Sequence, residues 1–112
     1  MTTRVAVLAQ DLIWADRLAR AVRAASAVPV PVRAAGELPA TPFLIVDLTA
    51  LDYDPDEVIG RAVAAGTRVL AVGQHDDPVQ RKRLLAAGAD RVFAYRKLFE
   101  DGPRTVERWL AS

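Results

Sequence analysis

Short apolar runs alternate along this chain with segments whose apolar residues recur every three or four positions. The short runs, rich in Val, are typical of strands covered on both faces and span 4–9, 28–32, 43–46, 69–72 and 91–95. The segments with helical spacing predict helices that follow Asp11, Asp54, Asp77 and Gly102. Pro55 and Pro78 stand at the first helical position, and Gly66 and Gly88 end two of the helices.

This order of elements is β-α-β-β-α-β-α-β-α. Strands that alternate with helices require right-handed crossovers and a parallel sheet. We therefore expect one α/β domain over residues 1–112, a flavodoxin-like, three-layer, doubly wound sheet with five strands in the order 2-1-3-4-5. Pro29 and Pro31 lie two residues apart in the second strand. Such spacing removes donors from one side of a strand and indicates an outward-facing edge.

The connection between the second and third strands is too short and too rich in breakers for a helix. Residues 34–42 contain Gly36, Pro39 and Pro42, so we expect a loop where a doubly wound fold usually has a helix. Leu38 is the only large apolar residue in this loop. This leaves two alternatives. Either the sheet face that lacks its helix is an interface, for example of a homodimer, or the loop folds down and covers that face as a lid.

Composition excludes several classes of function. The chain has no Cys, so disulfides and thiol catalysis are absent, and a reducing cytoplasm fits. No apolar run approaches the roughly 20 residues of a membrane span, and the N-terminal run is short for a signal peptide. The net charge of +1 and the lack of interleaved aromatics argue against direct nucleic-acid binding. We expect no cofactor, no metal and no enzymatic activity.

Three stretches of the chain resemble the receiver domain of response regulators. Residues 67–78, continuing to the Ala-Gly-Ala-Asp turn at 87–90, resemble the fourth strand, the following loop and the entry to the fifth strand of that family. Residues 43–48 are similar to the third strand, which ends in the phosphoacceptor aspartate, here Asp47. Residues 4–8 resemble the first strand. The resemblance implies a signalling module of a two-component or related regulatory system.

Most positions that receivers use for phosphoryl transfer are changed here. The resemblance implies two acids that hold Mg²⁺ after the first strand, but the chain has Ala9 and Gln10, with Asp11 one residue late. The hydroxyl position falls on Gly73, and the lysine position falls on Tyr95. A lone carboxylate lacks the charge stabilisation that phosphoryl transfer requires. We therefore predict a pseudo-receiver that binds a protein partner and is not phosphorylated.

Simpler roles also fit the residues of this degenerate pocket. Asp47 has an alternative role as a cap for the loop that follows it, and Asp11 is interpreted as a helix cap. Tyr95 is interpreted as a core side chain, and the lone His75 as an exposed loop residue. The acids Asp52, Asp54, Asp76 and Asp77 are candidates to surround the same pocket.

Basic residues accumulate toward the C-terminal end of the sequence. The resemblance implies a docking face formed by the helix after the fourth strand, the fifth strand and the last helix. The bases predicted on it are Arg81, Lys82, Arg83, Arg91, Arg96, Lys97, Arg104 and Arg108. Two alternatives remain: a working receiver phosphorylated on Asp47, and a small-ligand binder at the crevice along the carboxyl ends of the strands.

Overall fold

The computed structural model describes residues 2–50, 52–74 and 76–112, so His75 lies outside the described residues. The strands in this part of the chain are β1 (Arg4–Leu8), β2 (Val28–Val32), β3 (Phe43–Asp47), β4 (Arg68–Gly73) and β5 (Arg91–Ala94). The α-helices are α1 (Leu12–Ala24), α2 (Pro55–Ala64), α3 (Pro78–Ala86) and α4 (Tyr95–Ala111). Among these residues, no helix combines the length and apolar character needed to cross a bilayer.

All five strands are parallel and lie in the order β2-β1-β3-β4-β5, which confirms the predicted sheet. The central register sets Val7 opposite Ile45, and Ile45 opposite Leu70. β2 is an edge strand, as its two prolines predicted. The carboxyl ends of β1, β3, β4 and β5 therefore meet at one edge of the sheet.

Aspartates fix where three helices begin. The Asp11 carboxylate accepts hydrogen bonds from the backbone N–H groups of Ile13 and Trp14, at 2.9 and 3.1 Å. Asp54 and Asp77 cap α2 and α3 in the same way. These short side chains satisfy donors that a first helical turn leaves free. The three predicted caps are confirmed, and the Asp11 carboxylate serves as a helix cap, as the sequence favours.

Helices cover both faces of the sheet. On one face, alternate residues of the strands pack under α1 and α4, with the fully buried Trp109 at the centre. On the other face, the remaining strand residues pack under α2 and α3, where Ile59 and Leu84 are buried. This arrangement gives the three layers that the continuous apolar strands predicted.

The missing helix is confirmed. Between β2 and β3 the chain forms a single 3-10 turn, Ala35–Glu37, and no α-helix. Leu38 packs against the core, but a groove of about 500 Å³ remains between this loop and the end of α2. The loop is thus a partial lid, and Pro39 and Pro42 form one wall of the groove that it leaves open.

The end of the chain departs from the prediction at one point. The sequence pattern places Tyr95 in the last strand and predicts a last helix that starts at Gly102. Instead β5 ends at Ala94, and α4 begins with Tyr95 directly after it. α4 is interrupted at Asp101, whose φ of −146° and ψ of 32° are not helical. Pro103 provides no N–H for the helical ladder, so Gly102 and Pro103 begin the second segment as predicted.

Candidate functional site: a buried aspartate beneath two tyrosines

Asp47 lies at the centre of the carboxyl edge of the sheet. It is the last residue of β3, paired with Val72 of β4, and its exposed fraction is 0%. Parallel strands place ligand sites at this edge. A buried carboxylate is costly unless other groups hydrogen-bond to it, so its partners determine what it can do.

One oxygen of Asp47 accepts three hydrogen bonds from within the chain. The Tyr95 hydroxyl donates to Oδ1. Thr49 donates to the same atom twice, through its hydroxyl at 2.8 Å and its backbone N–H at 3.0 Å. The Thr49 contacts confirm the alternative role of Asp47 as a cap for its own loop. Oδ1 is therefore saturated by internal donors.

Stacking holds Tyr95 over the aspartate. The Tyr95 ring lies on the Trp14 ring of α1, with centroids 3.6 Å apart and planes 11° from parallel. Tyr95 is buried because it begins α4 immediately above the end of β5. Its hydroxyl thereby stands next to the carboxylate and donates to it.

Tyr53 covers the aspartate from the loop between β3 and α2. Its hydroxyl donates to the backbone carbonyl oxygen of Asp47 and lies 3.3 Å from that of Leu8, a second acceptor near the same proton. These contacts tie the ends of β1 and β3 together above the carboxylate. The second oxygen of Asp47, Oδ2, is buried and has no hydrogen-bond partner among the described residues.

The positions where a receiver holds Mg²⁺ are occupied by groups that do not fit the ion. Ala9 is buried and apolar. The Gln10 amide donates to Asp52 Oδ2 at 2.9 Å, and the Asp11 carboxylate caps α1. Mg²⁺ prefers carboxylates and keeps near-octahedral geometry. In the described ranges, no three His, Cys, Asp or Glu side chains converge as a metal site.

The other residues of the predicted pocket lack a hydroxyl or have hydrogen-bond or ion-pair partners within the chain. Gly73 ends β4 and offers no hydroxyl. Asp76 pairs with Arg81, and Asp77 caps α3. With Asp52 bound to Gln10 and Asp54 capping α2, each of these four acids has a partner within the chain, and Asp54 and Asp77 are the caps that the sequence predicts.

The eight predicted docking bases surround the β5 edge. Arg81, Lys82 and Arg83 lie on α3, Arg91 opens β5, and the remaining four lie on α4: Arg96, Lys97, Arg104 and Arg108. Among the residues that the structure describes, three of the eight have acidic partners. Arg81 pairs with Asp76, Arg83 with Asp56 and Arg96 with Glu100. Arg83 is thereby directed toward α2, so the basic face is smaller than the sequence suggested.

Tyr53 and Tyr95 are expected to resist ionisation while the protein is folded. Burial raises the pKa of both side chains above the usual value near 10, and for Tyr95 the Asp47 hydrogen bond raises it further. The folded state therefore keeps protons that the unfolded chain loses, so stability is complete below pH ~10 and declines above it. Because these are the two tyrosines of the chain, tyrosinate absorbance should appear only as the protein unfolds. A tyrosine that ionised near pH 10 in the folded protein would contradict this prediction. The same titration of Tyr95→Phe would show whether that tyrosine is Tyr53 or Tyr95.

No family model and no curated protein matches the chain. Solved structures do: the beryllofluoride-activated receiver domain of DrrB from Thermotoga maritima matches with 17% identity, full coverage of both chains and a TM-score of 0.84. A receiver domain protein from Methanospirillum hungatei matches with 16% identity over 99% of this chain and 98% of that one, TM-score 0.75. A putative pilus assembly-related protein from Burkholderia pseudomallei matches with 20% identity over 98% and 87%, TM-score 0.78. At these identities the likeness establishes the receiver fold.

Proposed function

We propose that this chain is a receiver-like module of a two-component or related regulatory system that is not phosphorylated and acts by binding a protein partner. The observation that carries the proposal is the hydrogen bond from Tyr95 to Asp47. The proposed module is non-enzymatic and works in the cytoplasm. It uses the receiver fold as a scaffold for recognition.

Three features oppose phosphoryl transfer to Asp47. The nucleophilic oxygen must reach phosphorus, yet Asp47 has no exposed surface. Three donors already hold Oδ1 and reduce its nucleophilicity, whereas Oδ2, which has no partner among the described residues, is kept from phosphorus by burial alone. Charge on the transferred group needs cationic or donor groups around it, and Ala9 and Gly73 supply none.

Each alternative function is less well supported by the geometry. A working receiver would require Tyr95 to leave the pocket and Asp11 to abandon its cap. A small-ligand site at the strand ends has a crevice of about 270 Å³ beside Thr49, Gly73 and Gln80, which is below the usual 300–1,000 Å³ of ligand pockets. The surface that carries the bases around the β5 edge is the proposed docking surface, and its positive charge favours an acidic partner.

Titration with Mg²⁺ and then with beryllofluoride tests the proposal. A DrrB receiver with the same fold exists in a beryllofluoride-activated form, so the reagent suits this architecture. We expect the amide resonances of Asp47, Thr49 and Gly73 to stay unchanged, with no saturable Mg²⁺ binding below about 1 mM. Parallel titration of Asp47→Asn controls for non-specific effects. Saturable shifts that the wild type shows and Asp47→Asn loses would refute the proposal.

A further inference from the structure

The groove beside the loop that replaces a helix is a cavity remote from Asp47. It encloses about 500 Å³, between residues 38–42 on one side and the C-terminal part of α2 on the other. Its floor is the sheet, at Ala6 of β1 and Leu44 of β3. Leu44 is the second residue of its strand, whereas Asp47 is the last. The groove therefore lies over the amino-terminal half of the sheet, away from the carboxyl edge.

Hydrogen bonds anchor the loop wall of this groove. The Thr41 hydroxyl donates to the Phe43 carbonyl oxygen at 2.9 Å, and the Thr67 hydroxyl donates to the Thr41 carbonyl oxygen at 3.2 Å. At the other end of the loop, Leu38 packs against the core, and the ring of Pro39 fixes the next backbone φ. The loop therefore cannot fold further into the groove without breaking these contacts.

The α2 wall of the groove is fixed as well. The Ala65 N–H donates to the Arg61 carbonyl oxygen at 3.1 Å, and Gly66 follows in the left-handed conformation that ends helices, with a φ of 84°. The groove is thus pre-formed, and its volume lies within the usual 300–1,000 Å³ of ligand pockets. Most of its lining is Ala, Leu and Pro, so a ligand with an apolar body would remove apolar surface from water.

Among the described residues that line the groove, Arg61 is the only charged one. Its ion pair with Glu57 spans 3.9 Å, and both side chains are about two-thirds exposed, at 65% and 67%. Exposed pairs of this kind contribute little free energy, so the guanidinium can turn toward a ligand. A guanidinium binds a carboxylate through two parallel hydrogen bonds. The groove therefore combines an apolar interior with one cation that suits a carboxylate.

We propose that this groove binds a small molecule with an apolar body and one carboxylate, such as an aromatic carboxylic acid. The carboxylate pairs with Arg61, and the apolar body lies over Ala6 and Leu44. The site exists because the chain lacks a helix between β2 and β3, where a doubly wound fold would cover this face of the sheet. The proposal goes beyond the proposed function and does not depend on whether Asp47 is phosphorylated.

Titration of the full chain with 2-naphthoate provides the test, and 2-naphthamide is the uncharged probe of matching shape. Binding is followed through the amide resonances in NMR spectra. We expect saturable shifts of Ala40, Leu44 and Gly66 with 2-naphthoate, at a Kd of about 1 mM or lower, as suits a ligand of this size. The amide should bind about tenfold more weakly, because it lacks the charge-assisted pair with Arg61. Arg61→Gln should lower the affinity for 2-naphthoate to that for 2-naphthamide and leave the latter unchanged.

Matched variants control for charge and for bulk. Arg96 is likewise exposed and pairs with an acid four residues away, Glu100, so Arg96→Gln should leave the affinity for 2-naphthoate unchanged. Ala40→Phe and Ala65→Phe each place a ring in the groove from an exposed position on one of its walls, and each should abolish binding. Ala64 is exposed but does not line the groove, so Ala64→Phe should not affect binding.

Four results would overturn the proposal. They are the absence of saturable 2-naphthoate binding, equal affinity for the two probes, binding that Arg61→Gln leaves intact, and shifts confined to residues outside the groove. A wild-type chain that self-associates in sedimentation and becomes monomeric with Ala40→Phe would make a second copy the occupant of the groove, and this also overturns the proposal.

Discussion

Trp109→Ala is expected to destabilise the protein by about 3–5 kcal/mol, the usual cost of removing a buried Trp or Phe side chain. Trp109 is 1% exposed and meets the Phe43 ring edge-on at 5.1 Å. Its indole N–H donates to Asp90 Oδ2 at 3.0 Å. The change therefore opens a cavity between α4 and the sheet and removes one partner of Asp90. Urea unfolding curves measure the loss.

Two matched variants separate these contributions. Trp109→Phe keeps an aromatic ring but loses the indole N–H. Its cost in stability should therefore be smaller: about 1 kcal/mol for the lost hydrogen bond, and a further small cost for the cavity. Phe99→Ala removes a ring that is 70% exposed and should stay within about 0.5 kcal/mol of the wild type. A Trp109→Ala loss below 1 kcal/mol would show that this helix is not packed as described.

Tyr95→Phe should destabilise the protein by about 1.5–3 kcal/mol, the range for a hydrogen bond to a charged group. Phenylalanine retains the stack on Trp14 but removes the hydroxyl that donates to Asp47. The buried carboxylate then keeps only the two Thr49 donors on Oδ1. Thermal or urea unfolding at neutral pH provides the measurement.

A double-mutant cycle with Asp47→Asn shows whether this cost belongs to the pair. If the two residues act together, the cost of Tyr95→Phe should shrink when residue 47 is uncharged, with a coupling above the 0.3–0.5 kcal/mol scatter of independent sites. Additive costs would mean that the Tyr95 hydroxyl stabilises the fold independently of Asp47, through its 3.0 Å contact with the Thr49 hydroxyl. The hydroxyl would then have no part in holding Asp47.

The starts of α1, α2 and α3 were predictable because their signals are local. Asp11, Asp54 and Asp77 each bond to N–H groups two or three residues ahead, and this pattern is visible in the sequence. The absent helix was equally visible, since two prolines within 34–42 exclude one. Strand order followed from the alternation of elements and the handedness of parallel crossovers.

The contacts of Tyr95 could not be predicted in this way. Its hydroxyl meets an aspartate 48 positions earlier, and this contact depends on how the ends of β3 and β5 align. The sequence predicts a core side chain at Tyr95; the residue is buried, but its hydroxyl reaches Asp47. Tyr53 gave no local signal either. Thr49 did, because a threonine two residues after an aspartate often closes a turn of this kind.

Intact mass spectrometry after incubation with acetyl phosphate and Mg²⁺ tests the central claim most directly. With Asp47 fully buried and held by Tyr95 and Thr49, we predict that the wild-type chain keeps its unmodified mass. An active receiver treated in parallel should gain one phosphoryl group, which shows that the reagent is competent. A wild-type chain that gains one phosphoryl group, with the gain abolished in Asp47→Asn, would contradict the account.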